Sequence, residues 1–251
     1  MEPKRALVRE PGDSYPGCIS SHPLLHTLDV SLARTQHASY CEVLSELGLE
    51  VIRVPRDDMH PDSCFVEDTA VVHGGRALIC RMAVESRRGE QLGVEAILKQ
   101  YMPVRRATAL ATVEGGDVVH LPDRLISGVT QRTNLEGVTQ MGEWLKVPVD
   151  IIVDTGIVHL KSYVTSLGKG RIIATRKYSN HPALAGLEVL VVPEGEEYAA
   201  NTLTIGDTVL MPAGHLGSHE MVREAGYEVI PMEVSEIEKC EGALSCLSII
   251  F

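Results

Sequence analysis

The sequence has little of what membrane and nucleic-acid proteins need. No apolar run approaches the roughly 18 residues of a membrane helix, and the N-terminus lacks the apolar core of a signal peptide. Only 23 Lys and Arg stand against 34 Asp and Glu, which gives a formal net charge of −11. A nucleic-acid surface needs clustered basic residues, so we expect no nucleic-acid or membrane partner. An acidic chain suits a cationic small molecule.

The six cysteines also lack a pattern. They stand at positions 18, 41, 64, 80, 240 and 246, and no two of them form a CxxC motif. In a chain of 251 residues this spacing predicts reduced thiols in the cytoplasm. It argues against a disulfide framework and against a zinc site.

What the chain does have is an internal repeat. Five similar segments, each with a strand-like pattern, begin about every 40 to 50 residues. They are residues 65–72, 113–119, 158–164, 200–205 and the tail around Cys246. With 44% hydrophobic residues, the chain can bury a full core. We therefore interpret residues 1–251 as a single domain.

Each of the first four segments is followed by a turn and a second apolar strand, a pattern typical of β-hairpins. These second strands are residues 76–80, 124–127, 171–174 and 208–211. The fifth segment has no such partner, but residues 5–9 supply an apolar strand. We expect the N-terminal and C-terminal strands to pair and close a ring, which removes free sheet edges.

Stretches with helical spacing follow several hairpins, and a third short strand follows most of these stretches. The helical stretches are residues 30–47, 90–101, 135–145 and 217–226; the third strands are residues 50–54, 149–153, 189–192 and 228–230. The pattern predicts an α/β fold of about five strand–strand–helix–strand units. The alternative is an ordinary α/β sandwich whose segments resemble one another by chance.

Set in register, the repeats bring together polar side chains that differ in chemistry. The hairpin-opening strands carry Glu67 and Asp68, Glu114, His159, Asn201 and Cys246. Equivalent positions in a ring converge on its axis, so these groups would meet in one cavity. A cysteine paired with a histidine is the arrangement for nucleophilic catalysis, and carboxylates beside them would bind a cation.

Each of these residues also has a structural interpretation. Cys246 could be core packing, and His159 could be a hydrogen-bonded structural histidine. The pair Gly115 and Gly116 could mark only a close backbone approach. Buried carboxylates are harder to explain this way, because they are costly unless paired.

The motifs at residues 61–68, 86–88, 114–118, 131–134, 159–162 and 244–246 resemble those of the dimethylarginine dimethylaminohydrolase family. This family belongs to the pentein, or guanidino-group-modifying, superfamily. The resemblance spans the chain and implies a five-bladed, pseudo-symmetric α/β propeller. It further implies a lid loop within residues 12–27 and a homodimer.

The resemblance also implies the catalytic roles. Cys246 resembles the nucleophile that attacks the guanidinium carbon. His159 resembles the acid and base that first protonates the leaving amine and then activates water. Glu114 resembles the partner that holds the guanidinium and His159.

Substrate-binding roles follow in the same way. Asp68, with Glu67 beside it, is similar to a guanidinium-binding carboxylate, and Asp62 to the ligand of the substrate α-amino group. Arg87 and Arg132 match the pair that clamps the α-carboxylate, which suits the fork of donors that Arg presents.

The implied activity is hydrolysis of a C–N bond in an arginine-like substrate through a covalent cysteine intermediate, without metal or organic cofactor. N-methylated arginine would give citrulline and an amine. The alternatives are an arginine deiminase-like or citrulline hydrolase activity, and a non-catalytic small-molecule-binding protein with the same fold.

Overall fold

The computed structural model describes residues 4–251 as five three-stranded sheets. In chain order the strands are β1 (Arg5–Val8), β2 (Glu50–Arg53), β3 (Ala70–His73), β4 (Arg76–Ile79), β5 (Val104–Arg106), β6 (Val118–His120), β7 (Leu125–Val129), β8 (Val149–Val153), β9 (Val164–Gly168), β10 (Arg171–Ala174), β11 (Glu188–Val191), β12 (Leu203–Ile205), β13 (Thr208–Pro212), β14 (Glu228–Met232) and β15 (Ser248–Ile250). The sheets are β15-β1-β2, β3-β4-β5, β6-β7-β8, β9-β10-β11 and β12-β13-β14. The predicted repeat of five like units is confirmed.

Every sheet has the same internal plan. Its first two strands pair antiparallel, and the third lies parallel to the middle one. The middle strands read as almost continuous apolar runs because both of their faces are covered; all five residues of β13, for example, are buried. The β9–β10 hairpin turns at three residues of positive φ, Gly168, Lys169 and Gly170.

The two ends of the described chain close the ring. Strand β1 pairs antiparallel with β15, with Ala6 opposite Ile250 and Val8 opposite Ser248. Strand β15 thus takes the place of the hairpin partner that the other four sheets draw from the next stretch of chain. The predicted closure is confirmed, and the tail that contains Cys246 is held in a sheet.

Helices connect the middle strand to the third strand in four of the five sheets. They are α1 (Val30–Glu46), α2 (Gln91–Leu98), α3 (Leu135–Leu145) and α4 (Leu216–Glu224), and a short α5 (Ser235–Glu238) follows β14. Side chains cap two of them: Asp29 accepts from backbone N–H groups at the start of α1, and Asn134 does so at α3. The sheet of β9, β10 and β11 has only a 3-10 turn at this place, Pro182–Leu184.

The polar residues at equivalent positions of the five repeats do not lie in strands, which corrects one detail of the expected register. Five short 3-10 turns precede the first strands: Val66–Thr69, Gly115–Asp117, Leu160–Ser162, Glu197–Ala200 and Ser245–Leu247. We call them the axial turns, first to fifth. The strands begin only after them, so the chemistry sits at one end of each strand.

The prediction that all cysteines are reduced thiols is wrong for two of them. Cys18 and Cys240 form a disulfide across 222 positions of sequence, with their Cα atoms 5.8 Å apart. Residues 12–27, the range that contains the expected lid loop, are called the lid segment below. They lie against the stretch that precedes Cys246, and this brings the two thiols together. Such a contact depends on the tertiary fold, so spacing along the chain did not reveal it. Cys41, Cys64, Cys80 and Cys246 are free and buried.

Candidate active site

The axial turns form a ring of neighbours around one end of the propeller. The first turn packs against the second and the fifth, and the third packs against the second and the fourth. Two glycines in the second turn permit this approach. A Cβ on Gly115 would lie 2.0 Å from the backbone oxygen of Glu67, and one on Gly116 would lie 2.8 Å from the His159 ring. These glycines are therefore required by close packing, as one interpretation of the sequence held.

His159 stands just before the third axial turn and faces two carboxylates. Its Nε2 donates to Glu114 Oε2 at 2.8 Å and lies 3.7 Å from Asp68 Oδ1. Burial alone would lower the pKa of His159, but the surrounding negative charges together outweigh this effect and raise the pKa to about 9. The imidazole is therefore protonated at neutral pH and can donate a proton.

Asp117, in the second axial turn, fixes the backbone beside His159. It is fully buried, accepts from the N–H of Leu160 at 2.9 Å and from the hydroxyl of Thr130 at 2.8 Å. Burial raises the pKa of Asp117 to about 6, although His159 opposes this shift. Asp117 was not among the residues predicted from the sequence, and its place directly after Gly115 and Gly116 was the available signal.

Cys246 lies in the fifth axial turn and is 9% exposed. Burial raises the pKa of its thiol, and the negative charges of Asp68 and Glu67 raise it further. At neutral pH the group is therefore a neutral thiol. A cation bound beside it would offset both carboxylates and favour the thiolate.

Asp68 and Arg87 form a buried ion pair at the centre of the site. Arg87 Nη1 donates to Asp68 Oδ2 at 3.0 Å and lies 3.6 Å from Glu114 Oε2. Burial would raise the pKa of Asp68, but His159 and Arg87 outweigh it and the pKa is lowered. Asp68 is thus ionised at neutral pH, as a guanidinium-binding carboxylate must be.

Glu90 was not predicted from the sequence as a site residue. Its two oxygens accept from Nε and Nη2 of Arg87 at 3.0 and 2.9 Å, and the carboxylate is buried. This bidentate pair fixes the orientation of the Arg87 fork. Its spacing of three residues from Arg87 was the only signal in the sequence.

Asp62 and Arg132 line the same cavity as Asp68, His159 and Cys246. Asp62 accepts from the N–H of Ile19 in the lid segment at 3.2 Å, and burial raises the pKa of Asp62. Arg132 is half-buried, and its Nη1 is buried without a hydrogen-bond partner among the described residues. A buried donor of this kind is costly unless a ligand accepts from it.

Glu67, by contrast, is absent from the lining of that cavity. Its carboxylate pairs with Lys161 and accepts from Ser245 Oγ at 2.9 Å. It lines a larger cavity of about 380 Å³, whose walls include strand residues such as Thr165 and Thr204. We call the two spaces the catalytic cavity, about 40 Å³ in volume, and the axial cavity. The structure therefore brings together seven of the eight predicted site residues, with Glu114 behind His159, and turns Glu67 away.

Asp68, Glu114 and His159 are close enough to hold a metal ion, since their ligand atoms lie within 4.8 Å of one another. Arg87 Nη1 already lies against both carboxylates, however, and His159 is protonated. These contacts disfavour a metal ion, because the carboxylates already face two protonated groups. Among residues 4–251, no helix is both long enough and apolar enough to cross a bilayer.

A five-bladed α/β propeller with a cysteine, a histidine and carboxylates at one end of its axis defines the guanidino-group-modifying enzymes. A family model described as arginine deiminase accordingly matches residues 56–146. Two N(G),N(G)-dimethylarginine dimethylaminohydrolases are similar over nearly the whole length. The protein of Pseudomonas aeruginosa is 33% identical, covering 99% of each chain, and that of Streptomyces coelicolor is 36% identical, covering 99% of this chain and 97% of the relative.

The solved structures agree with the sequence comparison. A Pseudomonas aeruginosa dimethylarginine dimethylaminohydrolase, a cysteine-to-serine mutant in complex with citrulline, superposes with a TM-score of 0.96 at 31% identity, covering 100% of both chains. The chain belongs to the dimethylarginine dimethylaminohydrolase family. Both the resemblance and the five-bladed fold expected from the sequence are confirmed.

Proposed function

We propose that this protein hydrolyses the guanidino group of N-methylated arginine to citrulline and a methylated amine, with residues 1–251 acting as one catalytic domain. One observation carries the proposal. The thiol of Cys246 shares a small cavity with a protonated His159 and the ionised Asp68. A guanidinium is a poor electrophile because resonance spreads its charge, so carboxylates must orient it and balance that charge.

Binding of the cation starts the chemistry. The guanidinium offsets the negative charge of Asp68 near Cys246, so the thiol loses its proton to solvent. The thiolate adds to the central guanidinium carbon and forms a tetrahedral adduct. His159 donates its proton to the departing nitrogen, the C–N bond breaks, and an S-alkylthiouronium remains on Cys246.

The second half of the reaction uses the neutral His159 as a base. It takes a proton from water while the oxygen adds to the thiouronium carbon. The C–S bond then breaks, the hydroxyl proton passes to the sulfur, and citrulline, the ureido product, is released with the thiol restored. Glu114 holds His159 in place throughout, since its Oε2 accepts from Nε2 at 2.8 Å.

Amino-acid recognition falls to two arginines and to Asp62. We assign the α-carboxylate to Arg132, whose Nη1 has no hydrogen-bond partner among residues 4–251, together with Arg87, which also contacts Asp68. We assign the α-amino group to Asp62, supported by its position in the catalytic cavity, where it also accepts from the N–H of Ile19. The role of Glu67 in guanidinium binding stays a prediction, and its contacts support an indirect contribution.

A substrate panel tests the proposal. Dimethylarginine, monomethylarginine, arginine, citrulline and agmatine are scored for ureido product, amine and ammonia. Turnover should be fastest with a methylated arginine and should be lost in Cys246→Ser, whereas Cys64→Ala, which alters another buried thiol, should remain active. Ammonia release without preference for methylated substrates would indicate an arginine deiminase-like activity. Turnover by Cys246→Ser would show that Cys246 is not the nucleophile.

We also propose a cytoplasmic location, the expectation from the cysteine spacing, although a disulfide such as Cys18–Cys240 is rare in that compartment. We further propose a homodimer, which the family resemblance implies. The acidic balance, with a net charge of −11, supports the absence of a nucleic-acid partner. Sedimentation of the purified chain tests the dimer, and fractionation of producing cells tests the location.

A further inference from the structure

Asn201 occupies the fourth position of the repeat, yet the mechanism above gives it no role. It directly follows the fourth axial turn, and its side chain is 2% exposed. Residues of that turn are absent from the lining of the catalytic cavity. A buried amide must find hydrogen-bond partners, and those of Asn201 lie on the neighbouring turns.

The partners of Asn201 belong to the turns of the nucleophile and of the histidine. Its Oδ1 accepts from the backbone N–H of Ser245 at 3.0 Å, and its Nδ2 donates to Ser245 Oγ at 3.1 Å. The same Nδ2 donates to the backbone oxygen of Lys161 at 3.1 Å. One side chain therefore joins the residue before Cys246 to the residue two positions after His159.

The fifth axial turn needs this support because it has no side-chain cap of its own. Leu244 stands at its cap position and provides no side-chain hydrogen bond. The first N–H groups of a helical turn lack partners within the turn, and Asn201 Oδ1 satisfies that of Ser245. In the third axial turn the cap residue His159 likewise makes no such bond, and Asp117 accepts from the N–H of Leu160 instead.

The direction of the contacts requires an amide at this position. Ser245 Oγ donates its single proton to Glu67 Oε2, so it must accept from Asn201. A carboxylate at position 201 could still accept from the Ser245 N–H. It could not donate to Ser245 Oγ or to the Lys161 oxygen, and it would add a buried negative charge beside Glu67.

We infer that Asn201 is a positioning residue for the nucleophile, which holds the Cys246 turn at a fixed place relative to the His159 turn. The inference rests on the proposed function of Cys246 and His159. Displacement of a reacting group by about 1 Å costs on the order of 10²-fold in rate. Loss of Asn201 should therefore slow the chemical step and leave substrate recognition at Asp62 and Arg132 intact.

Steady-state kinetics of Asn201→Ala test the inference. We expect kcat to fall by about 10²-fold with KM within about 3-fold of the wild type. The pH profile of kcat/KM should keep its shape, because the residue acts through position and carries no charge. An unchanged kcat, or a rise in KM alone, would overturn the inference.

Gln36→Ala provides the matched control. Gln36 is also a buried amide that joins two segments, through Ser235 and Glu236, and these contacts do not involve the fifth axial turn. Gln36→Ala should lower the melting temperature about as much as Asn201→Ala does, while its kcat stays within about 2-fold of the wild type. A loss of kcat as large as that of Asn201→Ala would mean that general loosening explains both variants.

Ser245→Ala keeps the inference testable if Asn201→Ala does not fold. This variant retains the backbone contact to Asn201 Oδ1 and should lower kcat by about 10-fold. In the double variant the two effects should be less than additive, because both substitutions break one hydrogen-bonded unit. Fully additive effects would contradict the proposed coupling.

Alkylation of Cys246 separates failure of this inference from failure of the proposed function. Iodoacetamide labelling, mapped by mass spectrometry, needs no substrate. Freeing the turn should raise the labelling rate of the buried Cys246 at least about 3-fold in Asn201→Ala. If the wild type turns over no compound of the panel, the function is wrong, and an unchanged labelling rate would then also exclude the positioning role.

Discussion

The catalytic cavity and the axial cavity lie on either side of two consecutive acidic residues, and they differ in what their polar groups do. Around the axial cavity, Glu67 is neutralised by Lys161 and bound by Ser245. In the catalytic cavity, Arg132 Nη1 has no hydrogen-bond partner within residues 4–251, and Cys246 is a free thiol. The smaller space, about 40 Å³ against 380 Å³, therefore holds the groups that await a ligand. Size alone would have selected the wrong cavity.

The strongest test of this contrast removes the charge of Asp68 and that of Glu67 in separate variants. Asp68→Asn should lower kcat/KM by about 10³-fold, because a buried charge partner is worth several kcal/mol. Glu67→Gln should lower it by about 10-fold, since Glu67 acts only through Ser245 and Lys161. Steady-state kinetics measure both. Equal losses would mean that the two carboxylates serve the same cavity.

The pH dependence of stability should report the protonated histidine of the catalytic cavity. The pKa of His159 is raised to about 9 in the folded chain. Its contribution, on the order of 3 kcal/mol, is present below the unfolded pKa of about 6.5 and is lost as pH rises through 9. Urea unfolding between pH 6.5 and 9 should show this loss in the wild type but not in His159→Phe. If the unfolding free energies of the wild type and His159→Phe changed in parallel with pH, the loss of stability would not come from His159.

Arg132 should affect binding more than chemistry. Charge-assisted hydrogen bonds contribute about 1.5–3 kcal/mol, so Arg132→Ala should raise KM by about 10- to 100-fold. Turnover of agmatine, which has no carboxylate, should be the same in the variant and the wild type. If KM for the amino-acid substrate were the same in Arg132→Ala and the wild type, Arg132 would not bind the carboxylate.

The disulfide should have the smallest effect on turnover, although Cys240 lines the catalytic cavity. Ser20 Oγ also holds the lid segment, through the backbone oxygen of Lys239 at 2.8 Å. The double variant Cys18→Ala/Cys240→Ala should therefore keep kcat/KM within about 3-fold and lose about 2–4 kcal/mol of unfolding free energy. Denaturant unfolding with and without dithiothreitol checks this, and an unchanged midpoint would show that the bond carries no stability.

The sequence predicted the architecture well because each repeat shows local patterns of strands, turns and helices. Hairpins, helical spacing and the unpartnered tail were enough to predict five units and the pairing of β1 with β15. The convergence of Cys246, His159 and Glu114 followed from their register, whereas their individual catalytic roles came from the family resemblance and stay a prediction.

Other features depend on the directions in which side chains point, which cannot be read from the alignment of the repeats. Glu67 and Asp68 lie in a 3-10 turn, where consecutive side chains diverge, so their separation between two cavities was missed. The Cys18–Cys240 contact depends on how the lid docks, and the hold of Glu90 on Arg87 depends on side-chain geometry.

The disulfide has a topological consequence. Together, the bond and the intervening chain from Cys18 to Cys240 form a covalent loop that contains four of the five complete hairpin-and-strand units. A protease cut at any exposed turn within that loop leaves two fragments that remain linked through sulfur. The nicked molecule would keep its β1–β15 pairing, and its fragments would separate on a denaturing gel only after reduction.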